Sequence, residues 1–359
     1  MGTDIRVREL GEAEFDEWAR FVAGSPEGSI YSLPKYLEIL CRAAGGRFSV
    51  LGVCHGDELV GGVALYECDS RYGPYVLPRR LLYYNGLVLR RYQTKYPSEQ
   101  TARHLKTMSA IEQALSRRGY SALALHCRGS MVDARPFIAA GWSVTPQYTY
   151  IVPVGDRELL WSRIEQNLRR LIKRCERDGM TVGEGEDFDD FFRLHAATMD
   201  RKEQGLYLPQ GEFRRYFESL RAAGLCRLFH ARLPDGRPVA SQLVLLGPPP
   251  VSHSVAAAAD PELIRTGVSA LLRWKVFEAV AAMGYSWNDL TDASLNPVTH
   301  FKSQLGGDLQ LFLALEAPRS WRYRLGHGAA TLARGSLAAV AEAVRRAVAR
   351  PQGAAPRSD

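Results

Sequence analysis

Two stretches of this sequence bring together side chains of the kinds that chemistry uses. In the first, residues 157–177, the cations Arg163, Arg169, Arg170, Lys173, Arg174 and Arg177 lie close together. Ile164, Leu168, Leu171 and Cys175 recur there at spacings of four, three and four, the period of a helix with one buried face. The row of cations is open to two readings. It is either a solvated basic face or a clamp for phosphates, in which Arg gives bidentate hydrogen bonds and Lys a point charge.

The second stretch is YSWNDLTDASLNPVTHFKSQLGG, residues 285–307. An apolar-aromatic strand ends at Asp289 and enters a polar loop holding Thr291, Asp292, Ser294 and Asn296. A short helix then presents Phe301 and Lys302 ahead of Gly306-Gly307. Strand ends that open into such loops are where α/β domains place ligands. On spacing alone, Lys302 reads as a solvent-exposed side chain.

The elements that position these residues follow from periodicity. IRVREL reads as a strand, EAEFDEWARFVAG and LPKYLEILCRAA as helices, and RFSVLGVC and LVGGVALYE as strands joined by a tight Gly56-Asp57 turn. A strand near LLYYNGLVL, a helix over 99–118, the strand SALALHC, a short helix at DARPFIAAG and a strand ending in TYIVPV complete the first half. From residue 156 the same order begins again. It runs through a single helix over 157–177, the strand MTVGE and two helices, FDDFFRLHAATMDR and EFRRYFESLRAAG. A hairpin turning at Pro234-Asp235-Gly236 follows, then VSHSVAAAA, a helix over 262–283, YSWNDL, a short helix at 298–305 and LQLFLALE.

The second half repeats the first in element order. Repetition on this scale predicts two copies of one mixed α/β domain, 1–154 and 155–317, with the boundary at Val154-Gly155-Asp156. Residues 318–359 differ: Leu337, Val340, Val344 and Val348 make an apolar stripe on a basic helix before a frayed tail. That stripe packs on its own protein or docks on an anionic membrane face.

At 359 residues, two domains are expected, and 46% hydrophobic content excludes a disordered chain. The balance of 46 Lys+Arg against 39 Asp+Glu gives a net charge of +7, compatible with a nucleic acid, a phosphorylated donor or an acidic membrane. The six cysteines are never closer than 13 residues, so there is no C-x-x-C pair to start a zinc or redox site, and they read as reduced thiols. The acidic start, MGTDIRVRELGEAEFDEW, lacks the basic head and apolar core of a signal peptide, and a cytoplasmic location is expected.

Taken in order, NLRRLIKRCERDGMTV, HAATMDRKEQGLYLP with its aromatic-rich helix, and DLTDASLNPVTHFKSQLGG resemble the FemAB-like branch of the GNAT acyltransferase superfamily. That branch includes peptidoglycan-bridge aminoacyltransferases and BioF2-like acetyltransferases. The resemblance covers about residues 1–315, is strongest over 160–310, and implies tandem GNAT domains. It implies N-acyl transfer, an amine attacking the carbonyl of an activated donor, either aminoacyl-tRNA or acyl-CoA, with no tightly bound cofactor and no metal. Phe301-Lys302 match the family's Phe-Lys pair, whose ammonium would stabilise negative charge on the carbonyl oxygen or donor phosphate. Lys173 and Arg174 fall in its I-K-R segment, which contacts a phosphorylated substrate, and Arg170 belongs to the same stripe. Lys35 and Tyr36, in YSLPKY, stand where the first domain of the family touches its acceptor.

The [QR]-x-x-G-x-[GA] signature of acyl-CoA-binding GNAT enzymes is degenerate here. Ile264-Arg265-Thr266-Gly267-Val268-Ser269 carries Ile at the first position and Ser at the last, which argues against CoA bound in the usual manner. A base for the attacking amine is available in Asp289, Asp292 or His253. Tyr207 lines an acceptor pocket or anchors its loop, and His195 reads as a helix-packing residue among Phe188, Phe191, Phe192 and Met199. The expected protein is a monomeric enzyme that makes an amide on a cell-envelope precursor, a glycan or a small metabolite. Its rivals are an acetyl-CoA-dependent N-acetyltransferase and a non-catalytic module binding nucleic acid or anionic membrane.

Overall fold

The computed structural model describes residues 5–295 and 297–317. The predicted C-terminal helix and Asn296 lie outside them. The first half comprises β1 (Ile5–Glu9), α1 (Phe15–Gly24), α2 (Pro34–Ala44), β2 (Arg47–His55), β3 (Glu58–Ser70), β4 (Gly73–Val76), β5 (Leu87–Leu89), α3 (Pro97–Arg117), β6 (Ala122–Cys127), α4 (Arg135–Ala139) and β7 (Ser143–Pro153). The second half comprises α5 (Arg157–Arg163), α6 (Gln166–Arg177), β8 (Thr181–Glu184), α7 (Phe188–Arg201), α8 (Gln210–Ala222), β9 (Cys226–Arg232), β10 (Pro238–Leu246), β11 (Val251–Ala259), α9 (Val268–Ala282), β12 (Trp287–Asp289), α10 (Pro297–Ser303) and β13 (Asp308–Glu316).

Local chemistry sets many of these limits. Pro34 opens α2 at a position where its missing N–H costs nothing, and Asp156 and Asp187 cap α5 and α7 by accepting the N–H groups of Leu159 and Asp190. Three expectations are corrected. The single helix over 157–177 is broken at Ile164 and Glu165, which adopt extended backbone. No Gly or Pro causes the break; the Glu165 N–H instead donates to the Gln304 carbonyl at 3.0 Å, and the Gln304 amide returns a 2.8 Å bond to the Glu165 carboxylate. The helix over 262–283 starts only at Val268, after a 3-10 turn over Pro261–Thr266 and Gly267 at φ +99°. The strand at LLYYNGLVL shrinks to β5, because Asn85 turns its side-chain amide onto the Ala124 carbonyl and the His126 N–H.

One mixed sheet runs through both halves in the order β1-β2-β3-β4-β6-β13-β7-β12-β11-β10-β9-β8, with β5 beside β3. The sheet crosses the boundary expected at Val154. β13, last in sequence, inserts antiparallel between β6 and β7, pairing Leu313 with Cys127 on one side and Asp308–Glu316 with Ser143–Ile151 on the other. β7 continues past β13 to pair with β12, Ile151 opposite Asp289. Each half therefore needs a strand contributed by the other.

Three cores sit on this sheet. The outer one of the first half gathers α3, α4 and their strands around Ile111 and Phe137, and includes Leu315 of β13. The outer one of the second half places α5, α6 and α9, with Phe277 of α9, over Val239 and Val244 of β10. The middle core is common property. Trp18, Tyr36 and Leu40 of α1 and α2 interleave with Phe191, Phe213 and Tyr216 of α7 and α8. All six cysteines are free.

Because Leu315 is fully buried in the first half's outer core, Leu315→Ala should cost about 2–5 kcal/mol. The check is the urea midpoint at unchanged slope, read with a probe in the first half such as Trp142 fluorescence. An unchanged midpoint would show that β13 does not hold that half together.

Candidate active site

The site forms where two neighbouring strands part company. β11 pairs with β12 in parallel only over Val251–His253 and Trp287–Asp289. Beyond that, β11 stays with β10, while the chain after β12 stays with β7, the Leu290 and Ala293 N–H groups donating to the carbonyls of Tyr150 and Tyr148. A fork opens between them. Into it enters α10 with Lys302.

At the fork, Thr291 and Asp292 adopt φ of 47° and 51°, a left-handed conformation that non-glycine residues seldom take and that local bonds must hold. The Thr291 N–H donates to the Asp289 carboxylate at 2.8 Å, and its hydroxyl donates to the Ser254 carbonyl at 3.0 Å. The Asp292 carboxylate accepts the Ser294 N–H at 2.9 Å. The carbonyls of these two residues converge on one cation. Lys302 Nζ donates to both, at 2.5 Å to Asp292.

Only 9% of Lys302 is exposed. Burial, then the charge of Arg273 and Lys202, lowers its ammonium to about 8, against the pull of Asp292 and Asp289. The group is charged at neutral pH yet close to releasing its proton.

Beneath the fork lies a fully buried carboxylate. Burial raises the Asp289 pKa, but His253 first, then Thr149 and the Thr291 N–H, outweigh that and hold it at about 2. Two of the donors come from the first half: Tyr84 Oη at 2.8 Å and Thr149 Oγ1 at 2.6 Å. His253 Nδ1 stands 3.5 Å from the same carboxylate. Its ring is wholly buried, edge-on to Tyr31 at 5.0 Å, and burial keeps it neutral. Neither ring nitrogen of His253 nor the hydroxyl of Tyr31 has a hydrogen-bond partner among the described residues.

Cations crowd the other side of the fork. Arg273 of α9 is 7% exposed, and burial pulls its guanidinium down to about 10, so it stays charged. Its charge reaches Lys302 and Lys202, depressing both ammonium groups. The guanidinium of Arg80, from the first half, lies 5.0 Å over the Tyr207 ring and donates to the Gly205 carbonyl. His195 is buried against Phe191 and Tyr207, and burial, then Arg80 and Lys202, lowers it to about 4.

The structure thus brings together Lys302, Asp292, Asp289, His253 and Tyr207 from the expected set, with Phe301 packed on the second-half core beside them. Tyr36 is corrected. It is fully buried, bonded to the Leu81 carbonyl and at 2.8 Å to Tyr216 Oη, so it ties the halves together inside the common core. Lys35 lies on the exposed surface, paired with Glu38 at 3.1 Å. Arg170, Lys173 and Arg174 line the outer face of α6. Arg174 stands 3.6 Å from Asp178, and Lys173 lies over Trp161. Among the described residues, Arg170, Lys173 and Arg177 have no acidic partner.

Sequence reasoning missed Arg273, Lys202, Arg80, Tyr84 and Thr149. One signal was available: Arg273 interrupts the apolar run Leu271-Leu272-Arg273-Trp274.

Residues 162–303 match the family described as acetyltransferase (GNAT) domain. Among solved structures, FemX shares 14% identity, with 86% of this chain and 96% of that one covered at a TM-score of 0.67. The C-terminal domain of a chain assigned as a lysylphosphatidylglycerol synthetase from Agrobacterium fabrum shares 12% over 90% and 97%, at 0.56. A tandem GNAT protein from the clavulanic acid biosynthesis pathway shares 13% over 88% and 100%, at 0.52. At such identities the likeness is one of fold. Comparison with curated proteins finds no match. The match to the acetyltransferase (GNAT) domain thus falls within the second half, in a chain that shares the fold of FemX and of the tandem GNAT protein.

Tyr84→Phe should cost about 1.5–3 kcal/mol at pH 7, since it strips a donor from a buried charge. Asp289, held below its ordinary value, contributes stability that is present above pH 3.8 and lost as pH falls toward 2. Losing a donor raises that folded pKa, so acid unfolding of Tyr84→Phe should begin at a higher pH. Identical acid and urea midpoints in variant and wild type would show that the bond does not hold the carboxylate.

Proposed function

We propose that this GNAT acyltransferase makes an amide by moving an acyl or aminoacyl group from an activated donor to an amine on a cell-envelope precursor, a glycan or a small metabolite. The halves 1–154 and 155–317 act as one monomeric unit, and the reaction takes place at Lys302. The observation that carries the reading is the buried ammonium at the fork, fixed by two carbonyls. An ammonium has three N–H donors, and these bonds use two, which leaves one for a ligand oxygen.

The amine nitrogen attacks the donor carbonyl carbon, and the carbonyl oxygen takes up the displaced electron pair beside Lys302. Collapse breaks the bond to the leaving oxygen or sulfur, and the amine's surplus proton passes to a base. Asp289 and His253 are sealed beneath the fork, whereas Asp292 is exposed beside Lys302, so the base role falls to Asp292. A donor fixed in place and aimed at the developing charge acts more strongly than water, because it does not reorganise during reaction.

Two features support aminoacyl-tRNA as donor. The outer face of α6 presents Arg170, Lys173, Arg174 and Arg177 to solvent, suited to a phosphate backbone. The start of α9, where CoA pyrophosphate would sit, is packed against α6 so closely that a Cβ on Gly267 would lie 2.5 Å from Leu171 Cβ. The family description, an acetyltransferase domain, supports acyl-CoA as the second reading. The reaction is placed in the cytoplasm, with residues 318–359 as a peripheral contact to an anionic membrane. No described helix is long and apolar enough to cross a membrane.

Incubation with labelled charged-tRNA pools and acyl-CoA mixtures should show deacylation of the tRNA pool alone once an amine acceptor is added. Lys302→Ala should lower turnover about 10²–10³-fold without unfolding the chain. Full activity of that folded variant would remove the assignment. Tryptophan-monitored binding of tRNA should weaken with salt, and the triple variant Arg170→Ala/Lys173→Ala/Arg174→Ala should flatten the log–log slope by about two to three. An unchanged slope would take α6 out of the donor site.

Because the Lys302 ammonium loses its proton near pH 8, kcat/KM of the wild type should fall as pH rises through that value. Lys302→Arg keeps its charge there, so its profile should lack the limb. The same limb in both proteins would assign it to another group.

A further inference from the structure

We infer that Arg273 seats a permanent oxyanion of the acceptor, a carboxylate or a phosphate group, and so fixes where the acceptor lies relative to Lys302. The inference rests on the acyl-transfer reading above and adds a chemical class to its acceptor. Arg273 is more than nine-tenths buried, and its Nη1 is sealed from solvent with no hydrogen-bond partner. Among the described residues, no carboxylate forms an ion pair with it.

Nearby acids are committed elsewhere. Asp289 accepts from Tyr84, Thr149 and the Thr291 N–H, and the Asp292 carboxylate accepts from Ser294. The cations coupled to Arg273 are Lys302 and Lys202, and its other polar neighbour is the phenol of Tyr207. A buried cation among cations is costly unless an anion joins it, and among the described residues no carboxylate pairs with it.

The form of the side chain narrows the partner. A guanidinium is a planar fork that takes two oxygens of one carboxylate or phosphate, and the ammoniums of Lys302 and Lys202 add point charges of the same sign requirement. The position assigns it to the acceptor. Arg273 lies on the side of the fork where Lys202, Tyr207 and Arg80 converge, whereas the exposed cations suited to the donor lie along α6. An acceptor carrying an acidic group at one end and an amine at the other would be held by the first and acylated at the second.

The test is thermal unfolding of the full chain with sodium phosphate or sodium acetate, matched in ionic strength with sodium chloride. In wild type, one of the two anions should raise the midpoint saturably beyond chloride. The more effective anion distinguishes a phosphate-bearing from a carboxylate-bearing acceptor. Arg273→Met should unfold at a higher midpoint than wild type without anion, because the uncompensated charge is gone, and should bind the anion at least about tenfold more weakly. Arg273→Lys should fall between the two.

No protection beyond chloride, equal protection of Arg273→Met, or a lowered midpoint of Arg273→Met without anion would each overturn the inference. Lys302→Ala, which removes one of the added point charges, should weaken the anion effect less than Arg273→Met does. Anion protection without Lys302-dependent transfer would remove the acyl-transfer reading and leave an anion site; Lys302-dependent transfer without protection would remove this inference alone.

Discussion

The carboxylate of Asp289 is ionised and has no access to water, a state held by His253 and the Thr291 N–H on its own side and by hydroxyls from another part of the chain. Desolvation of a lone carboxylate would cost several kcal/mol, more than the stability margin of many domains can absorb. Tyr84 and Thr149 offset that cost, and both belong to the first half. The third donor, the Thr291 N–H, is available only while Thr291 and Asp292 keep their left-handed backbone. The carbonyls that hold Lys302 are those same two residues' own. Removing the carboxylate would therefore loosen the loop, then the carbonyl pair, then the ammonium.

This dependence explains why the two halves share a sheet instead of merely touching. Thr149 can reach Asp289 because β7 runs beside β12, with Ile151 opposite Asp289. β13 fixes β7 in that register, since it pairs with nearly the whole of β7 while being anchored to β6 on its other edge. A flexible two-domain joint would let the donors drift by more than a hydrogen bond tolerates. The common core of α1, α2, α7 and α8, tied by the Tyr36–Tyr216 bond, removes that freedom. By contrast, the ion pairs on the surface, such as Lys35–Glu38 and Arg174–Asp178, are exposed and contribute little to rigidity.

Much of this architecture was legible in the sequence because it is local. The amphipathic face of residues 157–177, the alternation in RFSVLGVC and the turn at Pro234-Asp235-Gly236 each follow from the period of the element that carries them. The insertion of β13 was not legible, since alternation in LQLFLALE fits an edge beside either half, and register between distant strands leaves no local mark. Nor was the break at Ile164-Glu165, which is made by a bond to Gln304 from the far end of the chain and not by any helix-breaking residue. At the site, Lys302 was found by resemblance and not by spacing. Tyr84, in the loop before β5, and Thr149, in β7, carry no local mark of the carboxylate they meet. Arg273 stood in plain view as the one charge in an apolar run, the kind of local conflict that marks function.

The break between α5 and α6 also bears on how the site is supplied. A continuous helix from 157 to 177 would keep Arg163 in line with Arg170 and Arg174. Instead, Arg163 turns back to the Gly306 carbonyl at 2.8 Å and pairs with Asp308 at the start of β13. That removes one cation from the outer stripe and spends it on the loop that follows Lys302. Gly306, at φ +81°, lies so close to Arg163 that a side chain there would sit 3.1 Å from its Cβ. The basic helix is thus held at two places: α6 packs on the start of α9, and the α5–α6 break grips the segment after Lys302. The outer face of α6 and the segment that carries Lys302 therefore hold a fixed position relative to each other.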